Sequence, residues 1–294
     1  MEKTLRIYLD HEMKKRTEAR KHNFLFHVQQ AVESKGWQVE YCVDSDEEMV
    51  KSIGRDGRAL FHMGPATNRD GLTFRLAYVY PFWKIEKTAK RWDFEIAGEK
   101  FDQSLIDPAI AKDFVDRARR RLFGWMTDSQ NVRDVIYVPL QGWLLHHRSH
   151  QKCSPIDMVH QVVETFPFDR IEITMHPRAS YSKAELDALH EAINGHSLAR
   201  ISYDSPKAVI PSSKLVVTQN STSAFQGLFF NLPVVLFGKS DFHHASRTLE
   251  NIGEDRPNHE KFLYWFLQEK SINAGRDDVQ TKILDRMREL GWAL

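Results

Sequence analysis

From residue 135 onward, short β-branched runs alternate with segments of helical pattern, and this repeat constrains the fold more than any other feature. Val135 to Leu140, Arg170 to Met175, Ala199 to Tyr203, Leu215 to Gln219 and Pro233 to Phe237 read as strands. Between them, Ser154-Pro155 with Asp157 opens a helix to Thr165, Ser182 to Asn194 is a helix closed by Gly195, and Ser221 to Phe230 is a third. Such a chain buries its apolar runs by stacking βα units on a parallel sheet.

The first half begins the same way. Leu5 to Leu9 reads as a strand, Thr17 to Lys35 as a helix ended by Gly36, and Gln38 to Val43 as a strand. A short helix capped by Asp44/Ser45 follows, then a strand from Ala59 to Met63 ended by Gly64. From Asn68 to Asp102 the periodicity breaks down into LAYVYPFWKIEKTAKRWDF, where Pro81 argues against a regular central strand. A helix is expected from Pro108 to Phe123, and two more, His259 to Glu269 and Val279 to Leu290, finish the chain. The expected fold is α/β and GT-B-like, with two Rossmann-like domains facing a central cleft. The first would span residues 1–130 and the second 131–255, with helices of 256–294 packing back across the domains.

The length of 294 residues allows about two domains. With 41 basic against 40 acidic side chains, the net charge of +1 offers no global attraction to nucleic acid or to an anionic membrane, so no nucleic-acid partner is expected. The longest apolar run, Leu232 to Phe237, falls short of the roughly 18 residues of a membrane span. Cys42 and Cys153 fit neither a metal-ligand pair nor a CxxC motif, and both are expected to be reduced and buried. The charged N-terminus lacks the apolar stretch of a secretory signal, which leads to an expected cytoplasmic location and makes the Asn220-Ser221-Thr222 sequon incidental.

Open α/β sheets bind ligands outside the carboxyl ends of their strands. In VVTQNSTSAFQG, a buried strand delivers Gln219, Asn220, Ser221, Thr222 and Ser223 to the start of a helix, where hydroxyls and free backbone N–H groups converge. A plain N-cap, worth about 1 kcal/mol, needs only one of them; three successive hydroxyl residues after an Asn suit a phosphate. In ITMHPRAS, His176 follows a strand and Pro177 holds it extended, so its imidazole can donate to a phosphate or a sugar hydroxyl. A lone strand-end histidine is commonly just bonded to the backbone, but this one precedes the hydroxyl cluster by one βα unit. In YVPLQGW, Gln141 brings both a donor and an acceptor to a strand end.

The series VPLQ at 138–141, Ser154-Pro155, IEITMHP at 171–177, and VTQNSTSAF with LPVVLFG at 217–237 resembles the bacterial capsule polysaccharide biosynthesis glycosyltransferases. These are similar to the CMP-Kdo transferases of capsule export systems and share HP and Ser/Thr elements with GT-B sialyltransferases. The resemblance implies a nucleotide-sugar donor in the second domain, its phosphate held by His176, Ser221, Thr222 and Ser223 with Asn220 and Gln141 beside them. It also implies a glycan or glycolipid acceptor in the first. Family members commonly carry an acid shortly after the glutamine, where this chain reads Gln141-Gly-Trp, and the first domain shows no clear acidic-acidic-glycine motif.

An inverting, metal-independent transfer without a cofactor needs a general base. Asp10, His11, His62 and Asp70 are candidates, and strand-end placement favours Asp10 and His62, each of which has the alternative of being a cap or a loop residue. Asp44-Ser45-Asp46 suits an N-cap better than a metal-binding DxD, and His146, His147 and His150 lack a nearby acid or cysteine to complete a metal shell. The RARRR run at 117–121 suits an anionic membrane surface or an acidic glycan, although such runs are usually a solvated helix face, and a peripheral contact with the inner membrane or with capsule assembly proteins is expected of the chain. Tyr78, Tyr80, Phe82, Trp83 and Trp92 suit a core better than a sugar platform. Two other activities keep the same fold: a sugar-nucleotide 2-epimerase, and a catalytically silent nucleotide-binding partner of a capsule assembly complex.

Overall fold

A computed structural model describes residues 2–124, 134–255 and 257–293. Its strands in chain order are β1 (Thr4–Leu9), β2 (Gln38–Val43), β3 (Arg58–His62), β4 (Leu72–Leu76), β5 (Phe82–Glu86), β6 (Val135–Pro139), β7 (Arg170–Thr174), β8 (Ala199–Ser202), β9 (Ser213–Thr218), β10 (Val234–Leu236) and β11 (Ile272–Asn273). They form two sheets, ordered β11-β5-β4-β3-β1-β2 and β10-β9-β6-β7-β8.

The chain divides into one unit that runs to Glu99 and resumes at Phe266, and a second from Lys100 to Trp265. The boundary expected at 130/131 lies outside the described residues. The division falls earlier because the Pro108–Phe123 helix packs within the second unit, with Phe114 edge-on to Tyr264 at 5.6 Å and Phe123 at 4.9 Å from Phe230. The terminal segment is shared: the His259–Leu263 helix belongs to the second unit, while β11 pairs with β5 in the first.

In the first unit, β1 is parallel to both β2 and β3, β3 is parallel to β4, and β5 runs antiparallel to β4. Leu5, Ile7 and Leu9 alternate along β1 with no exposed surface, and the Asn23–Glu33 helix covers them with Phe24, Leu25, Val28, Ala31 and Val32. Each of the larger side chains stabilises the unit by about 2 kcal/mol through burial. Phe24 stacks on Trp83 at 4.8 Å, and Tyr78, Phe82 and Trp83 are buried, as their core reading expects, whereas Tyr80 is 50% exposed and Trp92 is half-buried.

Three local expectations are corrected. The helix expected over Thr17–Lys35 is two helices, His11–Glu18 and Asn23–Glu33, because Arg20 takes a φ of 57° and His22 caps a new start. The aromatic stretch contains β4 and β5, and Pro81 lies in the turn between them, where its missing N–H costs no ladder bond. Cys42 and Cys153 are free but only half-buried, Cys42 because β2 is an edge strand.

His22 makes the first unit sensitive to acid. Its Nδ1 accepts the Leu25 N–H at 3.3 Å, and burial, aided by Arg16 and His62, lowers its pKa to about 4. A histidine depressed in this way contributes stability that is present above its ordinary pKa of 6.5 and is lost as pH falls through about 4. Unfolding free energy from urea titrations is expected to drop by up to about 3 kcal/mol over that range in the wild type, and by less in His22→Asn, which keeps a capping side chain without the titration.

In the second unit all strands are parallel. The chain steps outward from β6 to β7 to β8, then returns to the other side of β6 for β9 and β10. The Pro155–Thr165 helix opens with the expected capping box, Ser154 Oγ accepting from the Asp157 N–H at 3.1 Å while the Asp157 carboxylate accepts from the Ser154 N–H at 3.2 Å. No helix among the described residues is long and apolar enough to cross a membrane.

Candidate functional site

Because the chain reverses direction at β6, the ends of β6 and β9 flank the switch point of the second sheet, where parallel sheets place their ligands. The register pairs Tyr137 with Val216, and Thr218 Oγ1 donates to the Pro139 carbonyl at 2.8 Å. Two residues further on, Gln141 Nε2 donates to Asn220 Oδ1 at 3.1 Å, and Asn220 Nδ2 donates to the Lys239 carbonyl at 3.4 Å. Both amides are half-buried. Three loops therefore meet here, and Gly238 allows it, since a Cβ there would lie 2.9 Å from the Gln219 carbonyl oxygen and 3.2 Å from that of His150.

The other expected binding residues divide by orientation. Ser221 caps the Thr222–Leu228 helix, its Oγ accepting from the Ser223 N–H at 3.2 Å. Ser223 is 6% exposed and bonds to the Tyr137 hydroxyl, which also takes a hydrogen bond from Thr174 Oγ1 at 3.1 Å, so its hydroxyl serves the interior. Thr222 is exposed. Gln219 is 1% exposed, and its Nε2 donates to the Cys153 carbonyl at 3.0 Å, so its amide lies beneath the site. His176 is exposed at the end of β7, where its Nδ1 accepts the Arg178 N–H at 3.2 Å and its own N–H donates to the Tyr181 hydroxyl at 2.8 Å. Since β6 lies between β7 and β9, the ends of those two strands are about 10 Å apart. The imidazole and the hydroxyls thus flank the Gln141–Asn220 pair instead of sharing adjacent strand tips.

In the first sheet the switch point lies between β1 and β3, and it holds Asp10 and His62. Asp10 caps the His11–Glu18 helix, accepting the Met13 N–H at 2.7 Å. His62 is half-buried against Phe74, with 5.1 Å between ring centroids. Burial pushes its pKa below 6.5, the Asp10 charge draws it partly back up and Arg75 pushes it down again, leaving a neutral imidazole at neutral pH beside a carboxylate. The next residue, Met63, holds a φ of 60° and is 52% exposed. Arg75, which acts electrostatically on His62, carries no sequence signal, because it arrives from β4. Asp70 pairs with Arg58 at 3.2 Å, and His11 sits in the first turn of its helix.

The remaining motifs resolve structurally. Ser45 caps the Asp46–Ile53 helix by accepting the Glu48 N–H at 3.3 Å, and in the arginine run Arg117 pairs with Asp113 and Arg119 with Asp116 on their own helix.

No family model and no curated protein matches the sequence. Among solved structures, the chain is similar to the Thermosulfurimonas dismutans KpsC β-Kdo 2,7 transferase, with a TM-score of 0.57 at 14% identity over 96% of this chain and 99% of that one. The β-Kdo 2,4 transferase of the same organism's KpsC gives 0.49 at 11% identity over 89% of each chain. A Neisseria meningitidis UDP-GlcNAc 2-epimerase bound to UDP-GlcNAc gives 0.34 at 7% identity over 97% of this chain and 99% of that one. The first likeness, spanning nearly all of both chains, establishes the fold: α/β of GT-B type with two Rossmann-like sheets.

Proposed function

We propose that this chain is a glycosyltransferase that moves a sugar from a nucleotide-activated donor, a CMP-linked one, to a growing capsular or surface polysaccharide. The observation that carries this reading is the Gln141–Asn220 amide pair at the switch point of a fully parallel sheet. The span from His176 across Gln141 to Thr222 suits a nucleoside phosphate better than a lone anion. The Thr222 hydroxyl and its own N–H would hold the phosphate, and His176 would donate to a second oxygen or to a sugar hydroxyl. In the first unit, neutral His62 would take the proton of the acceptor hydroxyl, whose oxygen bonds to the anomeric carbon as the phosphate leaves with the old bond's electron pair. Such a single displacement inverts the anomeric centre, and it rests on positioning and on stabilising the departing phosphate. The coarse activity also agrees with that of the similar Kdo transferase.

Calorimetry with CMP, UDP and GDP tests the site. One of them should bind the wild type, and Asn220→Ala and Gln141→Ala should each weaken that binding about tenfold or more. If His176→Ala and Ser221→Ala both left binding unchanged, the placement would be wrong. Incubation with the sugar nucleotide and no acceptor separates the epimerase, which converts its substrate alone. Binding without transfer to any glycan would favour the silent partner.

A further inference from the structure

Trp143, two residues beyond Gln141, holds a φ of 68°, a left-handed conformation that bulky side chains rarely adopt. Its residue surface is 64% exposed, and the Arg148 guanidinium carbon lies 5.1 Å from the indole centroid. Exposed aromatic surface and a strained backbone both cost stability, so packing does not account for the residue. The strain is imposed by its neighbours. A Cβ on Gly142 would lie 3.2 Å from the Ala179 Cβ, which brings this loop against the one that carries His176. On the other side, Leu144 is fully buried, its N–H donating to Glu185 Oε1 at 2.7 Å and its carbonyl accepting from Ile156 at 3.2 Å. Further along, the Arg148 N–H donates to Gln151 Oε1 at 2.7 Å, and the Lys239 N–H donates to the His150 carbonyl at 2.7 Å. The loop is thereby tied down at both ends, with indole and guanidinium presented as a pair beside the switch point.

We infer that Trp143, braced by Arg148, is the platform on which the base of the activated donor stacks. This rests on the second unit being the nucleotide site. A flat heteroaromatic base gains dispersion over a whole indole face. The guanidinium also withdraws π density from that indole, which weakens its attraction for sugar C–H groups and favours a base over an acceptor sugar.

The test compares the tightest of CMP, UMP and GMP with ribose 5-phosphate, which keeps sugar and phosphate but lacks the base, by calorimetry on the full chain. The wild type should prefer the nucleotide about 10- to 100-fold. Trp143→Ala should bind both ligands alike, and Trp143→Phe should keep most of the preference. Nucleotide should quench the wild-type tryptophan fluorescence, and the quench should be absent in Trp143→Phe. Trp143→Gly, which suits the positive φ, should melt no lower than the wild type; a large drop would make the indole a packing residue and overturn the inference. An unchanged preference in Trp143→Ala would overturn it while leaving the nucleotide site standing, and a wild type that binds no nucleotide would overturn both.

Discussion

Replacing His62 with alanine should slow sugar transfer about 10²- to 10⁴-fold, the usual contribution of a positioned base. Nucleotide binding should stay unchanged, because the residues that would hold the donor lie in the other unit. The pH profile gives a second readout. A base must be deprotonated to act, and burial holds His62 below its ordinary 6.5, so the acid limb of kcat/KM should fall below that value. Among the described residues, Asp10 is the group that raises this pKa. Asp10→Asn should therefore move the acid limb to still lower pH, while its amide oxygen still caps the His11–Glu18 helix. A His62→Ala enzyme of normal rate, or an acid limb that Asp10→Asn leaves in place, would remove this pair from the chemistry.

Replacing Arg286 with alanine should destabilise the chain by about 2–4 kcal/mol, because it strands a buried carboxylate. Arg286, on the Val279–Glu289 helix, pairs with Glu86 at 3.0 Å and with Glu95 at 2.5 Å, and its Nε donates to the Ile85 carbonyl at 3.0 Å. Glu86 is 5% exposed in a charged cavity of about 420 Å³. Burial raises its pKa above 4.5 even though Arg286 and Lys84 pull the other way. An acid raised in this way contributes stability below 4.5 that is lost as pH climbs through its folded value, and removing Arg286 raises that value further. Glu95, which Arg286 holds below 4.5, loses its contribution above 4.5 in the same variant. Both effects make the defect large at pH 7 and small near pH 4, which urea unfolding at the two values would show. Glu86→Gln in the Arg286→Ala background should recover much of the loss. A defect independent of pH would assign the effect to lost packing of the arginine stem.

Much of the second unit was legible because its signals are short-range. The Ser154/Asp157 and Ser182/Glu185 boxes and the Ser221 cap start helices where the sequence places them, and Pro108–Phe123 has the expected ends. The first unit hid more. β5 follows Pro81 directly and buries the charged Lys84 and Glu86 along with its apolar residues, and the break between the first two helices depends on one left-handed residue, Arg20. Strand-end placement alone pointed to Asp10 and His62, yet their electrostatic coupling needed β1 beside β3.

The sequence by itself determined most strands and helices of the second unit, that both units are α/β, and which residues stand at strand ends, since periodicity and capping are settled within a few neighbouring residues. Only the tertiary structure decided that β6 borders β9, that Gln141 meets Asn220 across 79 positions, and that Trp143 is held exposed while Ser223 and Gln219 turn inward. Strand order and side-chain direction follow from packing every apolar run at once, and no local window of sequence contains that competition.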